Sequence, residues 1–105
     1  MSTNTVSIFL KVFRQKREEF LQTVRSLQSD LEQDPGLMRS TLYQDVDDPE
    51  YFHLISEWET DRDYDSYLCS EQFRVLIGAL KVLSEETEVR YHMGSRKMGK
   101  KILEV

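Results

Sequence analysis

The chain has 105 residues, 31% of them charged, and a formal net charge of −5, which is typical of one folded domain. The excess of 19 acidic over 14 basic residues disfavours a nucleic-acid-binding protein, because such proteins carry a basic face. Cys69 is the only cysteine, which excludes an internal disulfide, and no apolar run reaches the roughly 18 residues of a membrane span. We therefore expect a cytoplasmic protein.

The first segment, Thr5–Phe13, is rich in β-branched and aromatic residues and predicts a strand. Val6, Ile8, Leu10 and Val12 form one alternating set, and the other set also carries large apolar groups, such as Phe9. A strand that is apolar on both sides is expected to be covered on both faces of its sheet.

An amphipathic helix of roughly 17 residues follows this strand. Its apolar stripe is formed by Phe20, Leu21, Val24, Leu27 and Leu31. The helix is expected to end at Asp34, because Pro35 disfavours helical geometry at the residue before it and Gly36 adopts turn conformations readily.

Two strands, Leu37–Asp45 and Tyr51–Glu59, are predicted next, and the short polar turn between them predicts a hairpin. One face of the second of these strands carries Phe52, Leu54, Ser56 and Trp58.

A second helical region is predicted to begin at Thr60, where Asp63 completes a capping pattern, and to restart at Ser70. Its second part carries a long apolar stripe from Phe73 to Leu83. A fourth strand follows at Glu85–Met93. We expect a domain over residues 1–94 and a C-terminal tail over residues 95–105.

The order strand–helix–strand–strand–helix–strand predicts an α+β, ferredoxin-like domain, with two helices on one face of a four-stranded antiparallel sheet. The open face then needs a second cover, and a two-fold homodimer supplies one. The alternative is a monomer whose sheet face is hydrated, which Lys11, Glu57 and Glu88 would permit.

Three stretches of the chain resemble the antibiotic biosynthesis monooxygenase domain family. They are residues 12–27 (VFRQKREEFLQTVRSL), 34–60 (DPGLMRSTLYQDVDDPEYFHLISEWET) and 66–73 (SYLCSEQF). The resemblance implies a dimeric α+β barrel. It also implies oxygenation of an electron-rich aromatic or quinol substrate without metal or cofactor, since the substrate anion itself gives an electron to O₂.

The resemblance implies a pocket between the sheet and the helices. Trp58 matches a family tryptophan, and Tyr67 occupies a position that is often His in the family, so both are candidate catalytic residues, with Tyr67 donating a hydrogen bond to a substrate oxygen. The candidate substrate-binding residues are Leu54, Tyr64, Phe73 and Arg39.

Two other interpretations stay open. The first is a non-catalytic dimeric module that binds a small apolar ligand or a partner, because the usual His positions on the second helix hold Tyr67 and Gln72. The second is haem binding, which the same missing His residues disfavour. His, Cys and acidic residues show no zinc-ligand spacing, so no metal site is predicted.

Overall fold

A computed structural model describes residues 4–93 and the backbone of residues 96–104. Its elements follow the predicted order, with a short 3₁₀ turn at Arg14–Lys16 before the first helix. The strands and helices are β1 (Asn4–Val12), α1 (Arg17–Leu31), β2 (Leu37–Gln44), β3 (Tyr51–Trp58), α2 (Asp61–Leu68), α3 (Glu71–Leu83), β4 (Ser84–Met93) and β5 (Arg96–Glu104).

The sheet has the strand order β2-β3-β1-β4-β5, and every neighbouring pair is antiparallel. Its first four strands give the predicted ferredoxin-like arrangement, with β1 in the centre. The difference lies at the edge, where residues 96–104 extend the sheet by pairing with β4. This segment was expected to be a tail. Its backbone pairs with the edge of β4 as a fifth strand, and the division into a domain and a tail stays a prediction.

The core lies between the sheet and the helices. Residues 6, 8, 10 and 12 of β1 and 52, 54 and 58 of β3 are buried there, so alternation along each strand correctly predicts the helix-facing side. They pack against buried side chains of the three helices, which are Phe20, Val24, Leu31, Tyr64, Tyr67, Phe73, Leu76, Leu80 and Leu83.

The starts of α2 and α3 agree with the predicted signals at Thr60 and Ser70. The Thr60 hydroxyl accepts the Asp63 N–H at 3.1 Å to begin α2, and the Ser70 hydroxyl accepts the Phe73 N–H at 3.1 Å to begin α3. After α1, the Asp34 carboxylate accepts the Gly36 N–H at 2.9 Å. These contacts fix the turns that place α2 and α3 over the sheet.

Candidate functional site

A small cavity of about 10 Å³ lies between the three helices and strands β2 and β3. This volume is about that of one water molecule. Half of its lining is aliphatic and half is polar but uncharged. The lining residues are Val24, Leu27, Leu31, Leu54, Leu76, Gln28, Ser40, Ser56, Tyr67 and Gln72.

Two small side chains explain why the cavity lies at this point of the sheet. Ser40 and Ser56 are register partners on β2 and β3. The other helix-facing residues of β3 are large, namely Phe52, Leu54 and Trp58. Two serines side by side therefore leave space under the helices that large neighbours would fill. The sequence signal for this site is a small polar residue, Ser56, on an otherwise apolar strand face.

Hydrogen-bonding groups cross the cavity in a row from α1 to α2, through residues 28, 40, 56 and 67. The Gln28 amide donates to the Ser40 hydroxyl at 3.2 Å. On the other side, the Ser56 side chain interacts with the Tyr67 hydroxyl. Burial raises the pKa of Tyr67 well above its ordinary value, and the contact with Ser56 opposes this rise only in part. Tyr67 therefore stays protonated at neutral pH, so its hydroxyl is able to donate a hydrogen bond and cannot serve as a base.

An aromatic stack supports Tyr67 from behind. The Trp58 and Tyr67 rings stack with centroids 4.6 Å apart, and Phe73 meets Tyr67 edge-on at 5.1 Å. Trp58 is fully buried, does not line the cavity, and its Nε1 has no hydrogen-bond partner among the described residues. The structure thus brings three of the predicted site residues together, with Tyr67 in contact with the cavity and Trp58 and Phe73 behind it.

Tyr64 is placed differently. Its hydroxyl donates to the Thr5 carbonyl at 2.7 Å and accepts the His92 N–H at 3.2 Å, so it ties α2 to β1 and β4. Burial raises the pKa of Tyr64 to about 12. Because both hydrogen bonds are to backbone groups away from the cavity lining, this arrangement favours a structural brace over the predicted substrate contact.

Of the remaining predicted site residues, Leu54 lines the cavity and Arg39 does not. Arg39 pairs with Glu57 at 3.3 Å, and both side chains lie on the sheet face opposite the helices. Side chains alternate along a strand, so Ser40 is the residue that β2 directs toward the cavity instead.

The open face of the sheet carries a second cluster, which we call the open-face cluster and define as Phe9, Tyr43, His53, Glu88 and Arg90. Phe9 stacks on His53 with centroids 4.2 Å apart, Tyr43 packs on the other side of His53 at 5.8 Å, and the Arg90 guanidinium lies 4.7 Å from the Phe9 ring. Arg90 also pairs with Glu88 at 2.9 Å. Burial and then the charge of Arg90 lower the pKa of His53.

Within residues 4–93, no group of three His, Cys, Asp or Glu side chains is arranged to hold a metal ion. The described helices include none with the length and apolar character needed to cross a bilayer. The cytoplasmic location stays a prediction.

A family model described as antibiotic biosynthesis monooxygenase matches residues 4–78. Comparison with curated protein sequences finds no match.

Several crystal structures share the fold. A conserved protein from Methanosarcina mazei Go1 is 24% identical with a TM-score of 0.79, and the alignment covers 88% of this chain and 92% of that one. SnoaB from Streptomyces nogalater, described as a cofactor-independent oxygenase and solved as a point mutant, is 19% identical with a TM-score of 0.77 over 93% and 98% of the two chains. A further antibiotic biosynthesis monooxygenase is 18% identical with a TM-score of 0.67 over 95% and 93%.

Proposed function

The chain belongs to the antibiotic biosynthesis monooxygenase family, whose model matches 75 of its 105 residues, from 4 to 78, and we infer its function from this membership. We propose that it is a cofactor-independent monooxygenase acting on a small aromatic or quinol substrate, and that it works as a homodimer. The observation that carries the proposal is the Tyr67 hydroxyl, held by the Trp58 stack at the wall of a small cavity whose ten lining residues are uncharged.

The proposed reaction needs no outside reductant. A hydroquinone and O₂ give a hydroxyquinone and water, so one oxygen atom enters the ring and the other leaves as water. The substrate itself supplies the electrons, and the protein binds it in its uncharged form, orients it and excludes bulk water. Tyr67 donates a hydrogen bond to the substrate oxygen, where it stabilises the developing negative charge.

Substrate entry requires the cavity to expand, because about 10 Å³ does not hold an aromatic ring. The glutamine side chains of the lining are the part that can move to allow this expansion. Gln72 is exposed and Gln28 is half-buried, whereas Leu54, Leu76 and Tyr67 are buried. We propose that the substrate displaces the two glutamine side chains and settles against Tyr67.

The homodimer proposal is supported by the open-face cluster. It presents aromatic rings together with Arg90 and Glu88, and the ion pair of Arg39 with Glu57 lies on the same face. A surface with both signs of charge around an aromatic centre complements a second copy of itself about a two-fold axis. The proposed partner is therefore this same chain.

Oxygen uptake tests the enzymatic proposal. Wild type, Tyr67→Phe, Trp58→Phe and the control Tyr43→Phe, whose ring lies on the open face, would be compared on a panel of hydroquinones and anthrones. We expect uptake above buffer for wild type and the control. Tyr67→Phe should lower kcat by roughly 10²-fold, as loss of a charge-stabilising donor does, and Trp58→Phe should have a smaller effect.

A second candidate function is a non-catalytic dimeric module that binds a small ligand. It is favoured by the ten described residues that line the cavity, because none of them has a carboxylate, imidazole or amine that could accept the substrate proton. Uptake equal to buffer across the whole panel, with ligand binding retained, would replace the enzymatic proposal with this one.

A further inference from the structure

The polar residues of the cavity lining include two neighbouring serines, each beside a polar side chain from a helix. Ser40 and Ser56 face each other across adjacent strands, and each has a hydrogen-bonding neighbour on a helix, Gln28 for the first and Tyr67 for the second. Directly opposed residues in an antiparallel pair have Cβ atoms about 4.5–5.5 Å apart. Two hydroxyls can therefore reach one bound oxygen atom, or two neighbouring ones.

The other half of the lining restricts the rest of the ligand. Five aliphatic side chains surround the row, and none of the ten lining residues carries a charge. An anion placed here would lose its hydration without gaining a cationic partner, which is costly. An uncharged ring that carries a carbonyl or hydroxyl oxygen would pack against the aliphatic side chains and form hydrogen bonds with the polar ones.

We propose that Ser40 and Ser56 are the specificity-determining residues of this cavity, and that they select uncharged aromatic ligands bearing a carbonyl or hydroxyl oxygen over hydrocarbons and over carboxylates. The inference deepens the proposed function and rests on it in one respect, namely that this cavity is the substrate site. Ligand selection is thereby assigned to the two serines on β2 and β3, whereas Trp58 and Phe73 only pack behind Tyr67.

The test uses three ligands matched in size: acetophenone, which has a carbonyl oxygen, ethylbenzene, which lacks it, and benzoate, which is an anion. Trp58 is the only tryptophan, so its indole N–H gives a single signal in a ¹H–¹⁵N spectrum. Trp58 stacks on Tyr67 at the cavity wall, so this signal reports occupancy, and titration gives a dissociation constant for each ligand.

In wild type, we expect acetophenone to bind about tenfold more tightly than ethylbenzene, the effect of one net hydrogen bond. Benzoate should bind at least about tenfold more weakly than acetophenone. In the double variant Ser40→Ala/Ser56→Ala, the preference for acetophenone over ethylbenzene should fall to within about twofold, while ethylbenzene binds as before. Ser26→Ala, at an exposed site on α1, should behave as wild type.

Equal affinities for acetophenone and ethylbenzene in wild type would overturn the inference, as would an unchanged preference in the double variant or no response to any ligand. If the double variant does not fold, Ser40→Ala alone, at a half-buried position, should also reduce the preference for acetophenone over ethylbenzene, by a smaller factor. Binding is measured without turnover. A protein that shows the preference but takes up no oxygen would refute the proposed enzymatic function and leave this inference intact.

Discussion

The two faces of one sheet differ in how they are covered, although β1 contributes apolar groups to both, four aliphatic side chains to one face and Phe9 to the other. On the helix-covered face, Ile8 and Leu10 are almost fully buried, with 2% and 1% of their surface exposed. On the open face, Phe9 and His53 are only half-buried, and Tyr43 is 45% exposed. The first face is completed within the chain. The second leaves aromatic side chains partly exposed beside charged ones, and this contrast supports the proposal of a ligand on one face and a partner on the other.

The largest expected effect is on the helix-covered face. Phe52→Ala should lower the free energy of unfolding by about 3–5 kcal/mol, because it removes a buried ring that packs on Phe20 at 4.7 Å and leaves a cavity. Urea denaturation measures this loss. A cost below about 1 kcal/mol would mean that this face is not the rigid core described above.

Close packing on the helix-covered face can be tested at two glycines. A Cβ atom at Gly36 would lie 2.5 Å from Cγ of Asp63 on α2, whereas one at Gly78 on α3 meets nothing within 4 Å. Gly36→Ala should therefore lower the free energy of unfolding by between about 1 and 3 kcal/mol. The matched control Gly78→Ala should raise it by up to about 1 kcal/mol, because alanine favours helix. Thermal or urea unfolding of both variants measures the change in the free energy of unfolding. A change of the same sign in both variants would contradict the difference in packing between the two glycines.

The open face is tested by association. Phe9→Glu should raise the dissociation constant of the homodimer at least about tenfold, since it places a charge at the centre of the aromatic cluster. Val75→Glu is the matched control, because Val75 is 52% exposed on α3, away from this face. Analytical ultracentrifugation at micromolar concentration measures both. Wild type sedimenting only as monomers would refute the proposed dimer.

The smallest effect concerns pH. Burial, and then the charge of Arg90, lower the pKa of His53 in the folded protein below its ordinary value near 6.5. The unfolded chain therefore binds more protons between the two pKa values, so stability should fall as pH decreases below about 6.5. Tyr43 packs on this ring, and Arg90, which is paired with Glu88, is the charged group that acts on it.

Melting temperatures of wild type and His53→Gln between pH 7.5 and 5 would show the His53 contribution as a difference in slope, with wild type losing more stability. Parallel curves would show that protonation of this imidazole is not coupled to folding.

Local sequence patterns determined most of the architecture. Period-two alternation placed the buried residues of β1 and β3, the helical stripes placed those of α1 and α3, and Thr60 and Ser70 marked the helix starts correctly. These features depend on a residue and its near neighbours along the chain, which is why they can be read without the fold. Tyr67 and Leu54, which line the cavity, were proposed as site residues from the family resemblance, and their roles stay a prediction.

Tertiary structure decided what depends on residues distant in sequence. The opposition of Ser40 and Ser56 comes from strand register, the bracing role of Tyr64 comes from backbone groups 59 and 28 residues away, and the position of Arg39 behind the sheet comes from which face of β2 meets the helices. The fifth strand depends on a free edge of β4 that no local pattern announces. Local propensity selects helix or strand, whereas pairing and packing determine which side chains share a cavity.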